Sequence, residues 1–170
     1  MLAVFDGENV RPTSDRAREA LFNILFLKTR GARVLDLFSG SGALGLESLS
    51  RGAGEVVFND LSGESVAILK KNLTKLKIDC KERGVTVMQK DYLACLNALS
   101  GAFDIIFIDP PYRFDYGVKA LEAIVSRGLL KNDGIVVYER DRVFEESIAG
   151  LEKYDERKYG KAVMSFFKKA

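Results

Sequence analysis

Apolar residues follow two rhythms along this chain. Ala17, Leu21, Ile24 and Leu25 recur at helical spacing. Thr13 or Ser14 precedes them as a plausible N-cap, with Asp15 in the first turn, so a helix is predicted to about Thr29, with Gly31 ending it. From Arg33 onward, short apolar runs alternate with helical stretches. Strands are predicted at 33–38, 55–60, 85–88, 103–108 and 134–138. Helices are predicted between them, at 43–51, 65–77, 92–99 and 116–127, and a short one at 143–149. The chain ends differently. Residues 153–159 and 161–168 flank Gly160 and read as a hairpin. Strand–helix alternation predicts an α/β fold, a mostly parallel, doubly wound sheet with right-handed crossovers. The closing hairpin adds one antiparallel strand.

Composition narrows the picture. At 170 residues without a repeat, linker or low-complexity tract, residues 1–170 read as a single domain, opened by a short segment at 1–12. The formal charge of +2 is no strong basic excess, so contact with a nucleic acid would need a local patch. Cys80 and Cys95 match no metal spacing and no disulfide framework. A reducing, cytoplasmic setting is expected. No apolar run approaches membrane length and no signal-peptide pattern opens the chain. The chain has no histidine, which excludes His general-base and His–metal chemistry; no metal site is expected. Nothing in the sequence demands a dimer, so a monomer is expected.

Candidate chemistry gathers where strands end. The run 103–108 is rich in β-branched residues and reads as a strand buried on both faces. Asp109-Pro110-Pro111-Tyr112 stops it, because neither proline can donate to a ladder. A carboxylate, a proline carbonyl and an aromatic face on a stiff turn suit a planar substrate bearing an NH2 group. This motif resembles the (Asp/Asn)-Pro-Pro-(Tyr/Phe) signature of amino-methyltransferases that use S-adenosylmethionine. Earlier, Gly40, Gly42 and Gly45 form a Gly-x-Gly-x-x-Gly between a strand and a helix, a pattern that dinucleotide-binding proteins share. Asp36 breaks that tie. A carboxylate late in the first strand would repel a pyrophosphate and favours a cationic ligand with an ammonium and a sulfonium. Asp60 closes the second strand, where it can accept both ribose hydroxyls of an adenosine. Asp91 closes the third, followed by Tyr92, and suits an adenine amino group. Each acid alone also reads as a helix or turn cap. Together, Asp36, Asp60, Asp91 and Asp109 should line one edge of the sheet.

From about residue 11 to its end the series resembles the Rossmann-like class I methyltransferase fold. The resemblance narrows at Arg11-Pro12-Thr13-Ser14-Asp15-Arg16, with Arg18-Glu19 and Phe22-Asn23, joined to 36–42 and 109–112. Together these resemble the bacterial 16S rRNA guanine-(N2)-methyltransferase family. The resemblance implies S-adenosylmethionine as cofactor and one guanine of 16S rRNA, or of the small ribosomal subunit, as substrate. It implies that Arg11 and Thr13 help to close the site and that Asp36, Gly40, Gly42, Asp60 and Asp91, with Tyr92, hold the cofactor. It places Asp109, Pro110 and Tyr112 on the target base.

The family usually carries a longer basic segment before this motif. Only ten residues precede Arg11 here, none basic, and residues 1–12 read as its remnant. RNA contact is expected from Arg113 and the stretch 16–18, beside the two motifs. Direct methyl transfer to an exocyclic nitrogen needs no covalent nucleophile, so both cysteines are expected in the core, on helical faces. The alternatives are a DNA adenine-N6 or protein-glutamine methyltransferase, which use the same Pro-Pro signature, and a non-catalytic nucleotide-binding module that keeps the fold.

Overall fold

The computed structural model of the chain describes residues 15–111 and 116–170. Arg11 and Thr13 in the first segment, and Tyr112 and Arg113 after residue 111, lie outside the described residues. The element order is α1 (Asp15–Ile24), α2 (Phe26–Thr29), β1 (Arg33–Asp36), α3 (Ala43–Ser50), β2 (Glu55–Asn59), α4 (Gly63–Lys75) and β3 (Val85–Met88), then α5 (Tyr92–Ala98), β4 (Phe103–Ile108), α6 (Tyr116–Ser126), β5 (Leu130–Arg140), β6 (Leu151–Tyr159) and β7 (Ala162–Lys169).

These strands form one seven-stranded sheet in the order β3-β2-β1-β4-β5-β7-β6. The pairings from β3 through β5 are parallel, and β7 runs antiparallel to both β5 and β6. The expected fold is therefore present, with β7 as its one antiparallel strand. The order of the strands reverses at β1 and β4, and α/β sheets open a crevice at such a switch point.

Helices cover both faces, which is why the central strands read as continuous apolar runs. On one face α1, α3 and α4 pack over Val34, Phe58, Phe107 and Phe166. On the other, α5 and α6 pack over Leu35, Ile106, Val136 and Phe167. Phe22, Phe58, Phe103, Phe107, Phe166 and Phe167 are each under 2 % exposed or at that limit, so aromatic rings dominate the core. Among the described residues no helix is long and apolar enough to cross a membrane.

Four expectations need correction. The first helix is two: it breaks at Leu25, so Phe26 and Leu27 of α2 stand exposed. Strand β5 is twice as long as its apolar core suggests, because it begins at Leu130, paired with Phe103, and runs past Tyr138 to Arg140, paired with β7. Cys80 is half-buried in the loop after α4, whereas Cys95 is buried on α5 as expected. And 143–149 is no helix. The Arg140 guanidinium donates to the carbonyls of Arg142 and Val143 and pairs with the Glu146 carboxylate at 2.7 Å. The Phe144 amide donates to Glu156, and its carbonyl accepts from Lys153. These side chains take the groups a helix would need, while Phe144 and Ile148 anchor the loop in the core.

Candidate active site

Parallel pairing brings the carboxyl ends of β1 to β4 to one edge. Asp36 is the last residue of β1, Asp60 follows β2, Asp91 precedes α5 just beyond β3, and Asp109 follows β4. The structure thus brings the four predicted acids together along that edge. Their surroundings differ, and so does the chemistry available to each.

Asp36 is 2 % exposed, and its Oδ2 accepts the Gly45 amide at 3.0 Å. Burial pushes this carboxyl up to about 7, against the Gly45 bond that favours the ionised form; the charge of Asp60 adds to the rise. The loop above it turns at Gly40 and Gly42, both at positive φ (53° and 88°). Gly42 has a further reason: a Cβ there would lie 2.4 Å from the Leu69 side chain. At Gly40 a Cβ would meet nothing within 4 Å, so open space lies against the backbone there. Gly45 lies where a Cβ would press into the Phe58 ring, which lets α3 close onto β2.

Asp60 ties this loop to β2. Its Oδ2 accepts the Gly40 amide at 2.8 Å and its Oδ1 the Ser62 amide at 2.9 Å. Each oxygen keeps a further lone pair for a ligand. Beneath it Asn59 is buried and bonds to the carbonyls of Leu37 and Lys90 and to the Lys90 amide. That one side chain braces the ends of β1, β2 and β3, and the sequence reading missed it because an asparagine at a strand end reads as a turn residue. Asp91 is exposed and caps α5, its Oδ1 accepting the amides of Leu93 and Ala94. Tyr92 is buried beside Phe38 and Tyr116, with ring centroids 5.5 and 5.0 Å away. This aromatic cluster walls the crevice on the α5–α6 side.

Asp109 stands half-buried, ahead of a buried Pro110 and an exposed Pro111. Strand alternation gives it the face of Phe107. The β4–β5 register pairs Phe107 with Val137 and Ile108 with Tyr138, so the next position along puts Glu139 beside Asp109 on the same face. Glu139 is 6 % exposed. Burial, first, then the charges of Glu139 and Asp36, hold the Asp109 carboxyl well above the usual carboxylate range. Among the described residues no group of such ligands is arranged to hold a metal ion. Glu139 was missed by the sequence reading, which ended the fifth strand at Tyr138. The signal available was a glutamate directly after an apolar strand, at the edge that carries the other acids.

A model of the family described as "Conserved hypothetical protein 95" matches residues 1–168. The chain is 36% identical over 143 residues to "Ribosomal RNA small subunit methyltransferase D" of Haemophilus influenzae, covering 83% of this chain and 73% of that protein. Among solved structures, a conserved hypothetical protein of Streptococcus pyogenes superposes with a TM-score of 0.81 at 32% identity, covering 90% of this chain and 95% of that one. A 16S rRNA N2 methyltransferase of T. thermophilus, solved with AdoMet and guanosine, superposes with a TM-score of 0.75 at 26% identity, covering 98% of this chain and 45% of that one.

Proposed function

The chain belongs to the Conserved hypothetical protein 95 family, and from that membership and its site we propose that it methylates small-subunit ribosomal RNA with S-adenosylmethionine, at the exocyclic N2 amino group of a guanine. One observation carries this reading. The Asp109-Pro110 turn stands on the same sheet edge as the Asp36–Gly40–Asp60 cradle, so a methyl donor and an amino acceptor can meet there.

The residues present fit the cofactor. Open space above Gly40 admits a ligand against the backbone. Asp60 is fixed by two amides and still has acceptor capacity for a ribose diol. Asp36, buried and half-protonated near neutrality, gains from a cationic neighbour. Gly42 shapes the turn, and Tyr92 lends an apolar wall. Asp91, whose Oδ1 is engaged in capping α5, offers its remaining capacity to an adenine amino group. Arg11 and Thr13 are assigned to closing the site. When bound, S-adenosylmethionine supplies an electrophilic methyl group on sulfonium.

The residues of this chain do the rest. Asp109 and the Pro110 carbonyl accept the two hydrogens of the target amino group, which turns its lone pair toward the methyl donor. The aniline-like nitrogen is a poor nucleophile, so positioning and electrostatics carry the catalysis. Positive charge develops on that nitrogen, and the Asp109–Glu139 pair meets it with negative charge. Asp109 then takes the released proton, directly or through water. Tyr112 serves as the stacking platform for an unstacked guanine. The enzyme is read as a cytoplasmic monomer.

The test is transfer of a tritiated methyl group with the purified protein and three acceptors: small ribosomal subunits, total DNA and release-factor protein. Label in the small-subunit RNA, recovered as N2-methylguanine, is the expected result. Label in DNA adenine or in protein glutamine would replace the reading with one of its rivals, and label in none would leave a nucleotide-binding module.

A further inference from the structure

The functional reading leaves one surface unexplained. Between residues 70 and 83 six basic residues stand against two acidic ones, in a chain whose whole excess is +2. Inward positions of α4 are Val66, Leu69, Asn72 and Leu73. Its outward positions include Lys70, Lys71 and Lys75, and Lys77 and Lys81 follow in the loop that leads to β3. All five are exposed.

Elsewhere basic side chains commonly meet an acid. Arg33 reaches Glu55 at 3.0 Å, Arg51 reaches Glu47 at 2.7 Å, and Lys131 reaches Asp104 at 2.8 Å. Among the described residues Lys70, Lys71, Lys77 and Lys81 have no such partner. The nearby acids are engaged differently: the Asp79 carboxylate accepts the backbone amides of Lys81 and Glu82. Lys70 and Lys71 are exposed on α4, and Lys77 and Lys81 carry the positive charge on into the loop toward solvent.

Position matters as much as charge. Helix α4 is capped by Ser62, whose hydroxyl accepts the Ser65 amide, two residues from Asp60 in the candidate cofactor cradle. It then runs back over the sheet, so Lys70 lies roughly 10 Å from its start at about 1.5 Å per residue. The lysines thus begin roughly 10 Å from the crevice end of α4 and lead away from it.

We propose that the outer face of α4, with the loop to β3, is a second docking surface that grips the phosphate backbone of the RNA flanking the target nucleotide. This rests on the ribosomal-RNA reading above. Lysines act as point charges toward phosphates and carry no base readout, so this surface sets register and affinity while the Asp109 turn selects the base. It also answers how a chain of such small net charge holds a polyanion.

The test compares the parent with Lys70→Gln/Lys71→Gln/Lys81→Gln and with a control, Lys158→Gln/Lys161→Gln, at exposed lysines of the β6–β7 hairpin. Affinity for small-subunit RNA is measured from low to moderate salt. Each lost phosphate contact flattens the slope of log K against log salt by roughly 0.7–0.9. The triple variant should therefore flatten by about 2–3 and bind roughly tenfold or more weakly at low salt, while the control stays near the parent. Adenosylhomocysteine affinity and turnover at saturating RNA should be unchanged, so the loss appears in KM alone. A triple variant with the parent's slope, or a control that loses as much, overturns the proposal. So does equal weakening toward polyglutamate, which would make the surface a general acid-binding face. Because the slope is read from binding, a parent that binds RNA yet labels none of it would sink the functional reading and leave the docking result standing.

Discussion

The two edges of the sheet treat their acids in opposite ways. At the amino edge the carboxylates on β2, β4 and β5 each meet a cation. Asp104 at the start of β4 accepts the Arg33 amide at 2.7 Å and pairs with Lys131. Glu55 at the start of β2 meets Arg33, whose guanidinium also lies 4.2 Å over the Phe103 ring. Asp133 meets Lys28, and that partner holds its carboxyl below the usual range. At the carboxyl edge Asp36 and Asp109 are held above it, by burial first, then by the charge of Asp60 on Asp36 and those of Glu139 and Asp36 on Asp109. An edge that only terminates strands neutralises its charges. An edge that leaves raised carboxylates near each other stores an electrostatic demand for a cation, the demand that the proposed sulfonium donor and developing ammonium would meet.

The comparison breaks most sharply at Asp109. Asp109→Ala should lower single-turnover methylation by roughly 10²–10⁴-fold, the scale of a positioned acid–base group, while adenosylhomocysteine binding persists. A variant that turns over at the parent rate would reduce this turn to a strand stop. The rate of the parent should climb as pH rises and Asp109 ionises. Glu139→Gln removes the neighbouring charge, so it should move that profile to lower pH; a depressed rate with an unmoved midpoint would make Glu139 merely structural.

Asp60→Ala comes next. Losing hydrogen bonds to a charged acceptor costs about 1.5–3 kcal/mol, or roughly 10–150-fold in cofactor affinity. Calorimetry with adenosylhomocysteine checks it, and circular dichroism should show the fold intact. Unchanged affinity would leave Asp60 as a loop tie for Gly40 and Ser62.

A smaller effect belongs to Asp36. Its carboxyl is raised to about 7 in the folded chain, so the native state holds a proton that the unfolded chain has released. Its contribution to stability is full below the ordinary carboxylate value near 3.8 and is lost as pH rises through about 7. The melting temperature of the ligand-free protein should fall over that window, and Asp36→Asn should flatten the fall. Affinity for an ammonium-bearing ligand should move the other way, rising up to about tenfold per pH unit below 7 and levelling above it. An affinity flat from pH 6 to 8 would remove Asp36 from the cationic site.

The smallest effect is expected at the amino edge. Lys131→Ala breaks a half-exposed pair and should cost about 0–1 kcal/mol of stability, with methylation unchanged. A large loss of activity there would erase the distinction between the edges.

Much of this was legible in the chain alone. Apolar runs ended by acids fixed β1 to β4 and the edge their ends would share, because parallel strands buried on both faces leave a local signature. Gly40, Gly42 and the Asp109-Pro110-Pro111 stop carried the site for the same reason: turn chemistry is local. What the sequence could not decide depends on partners distant in the chain. The stretch 143–149 has helical spacing, yet Arg140, Lys153 and Glu156 take its backbone groups. Glu139 gained its meaning only from the β4–β5 register that sets it beside Asp109. Lys70 and Lys71 of α4 stand out only once the ion pairs among the described residues leave them without an acid. Protonation is decided in the same way, since the charge on Asp36 depends on how much water the folded sheet excludes. Local pattern sets which elements form; burial and long-range pairing set which of their charges are left unanswered.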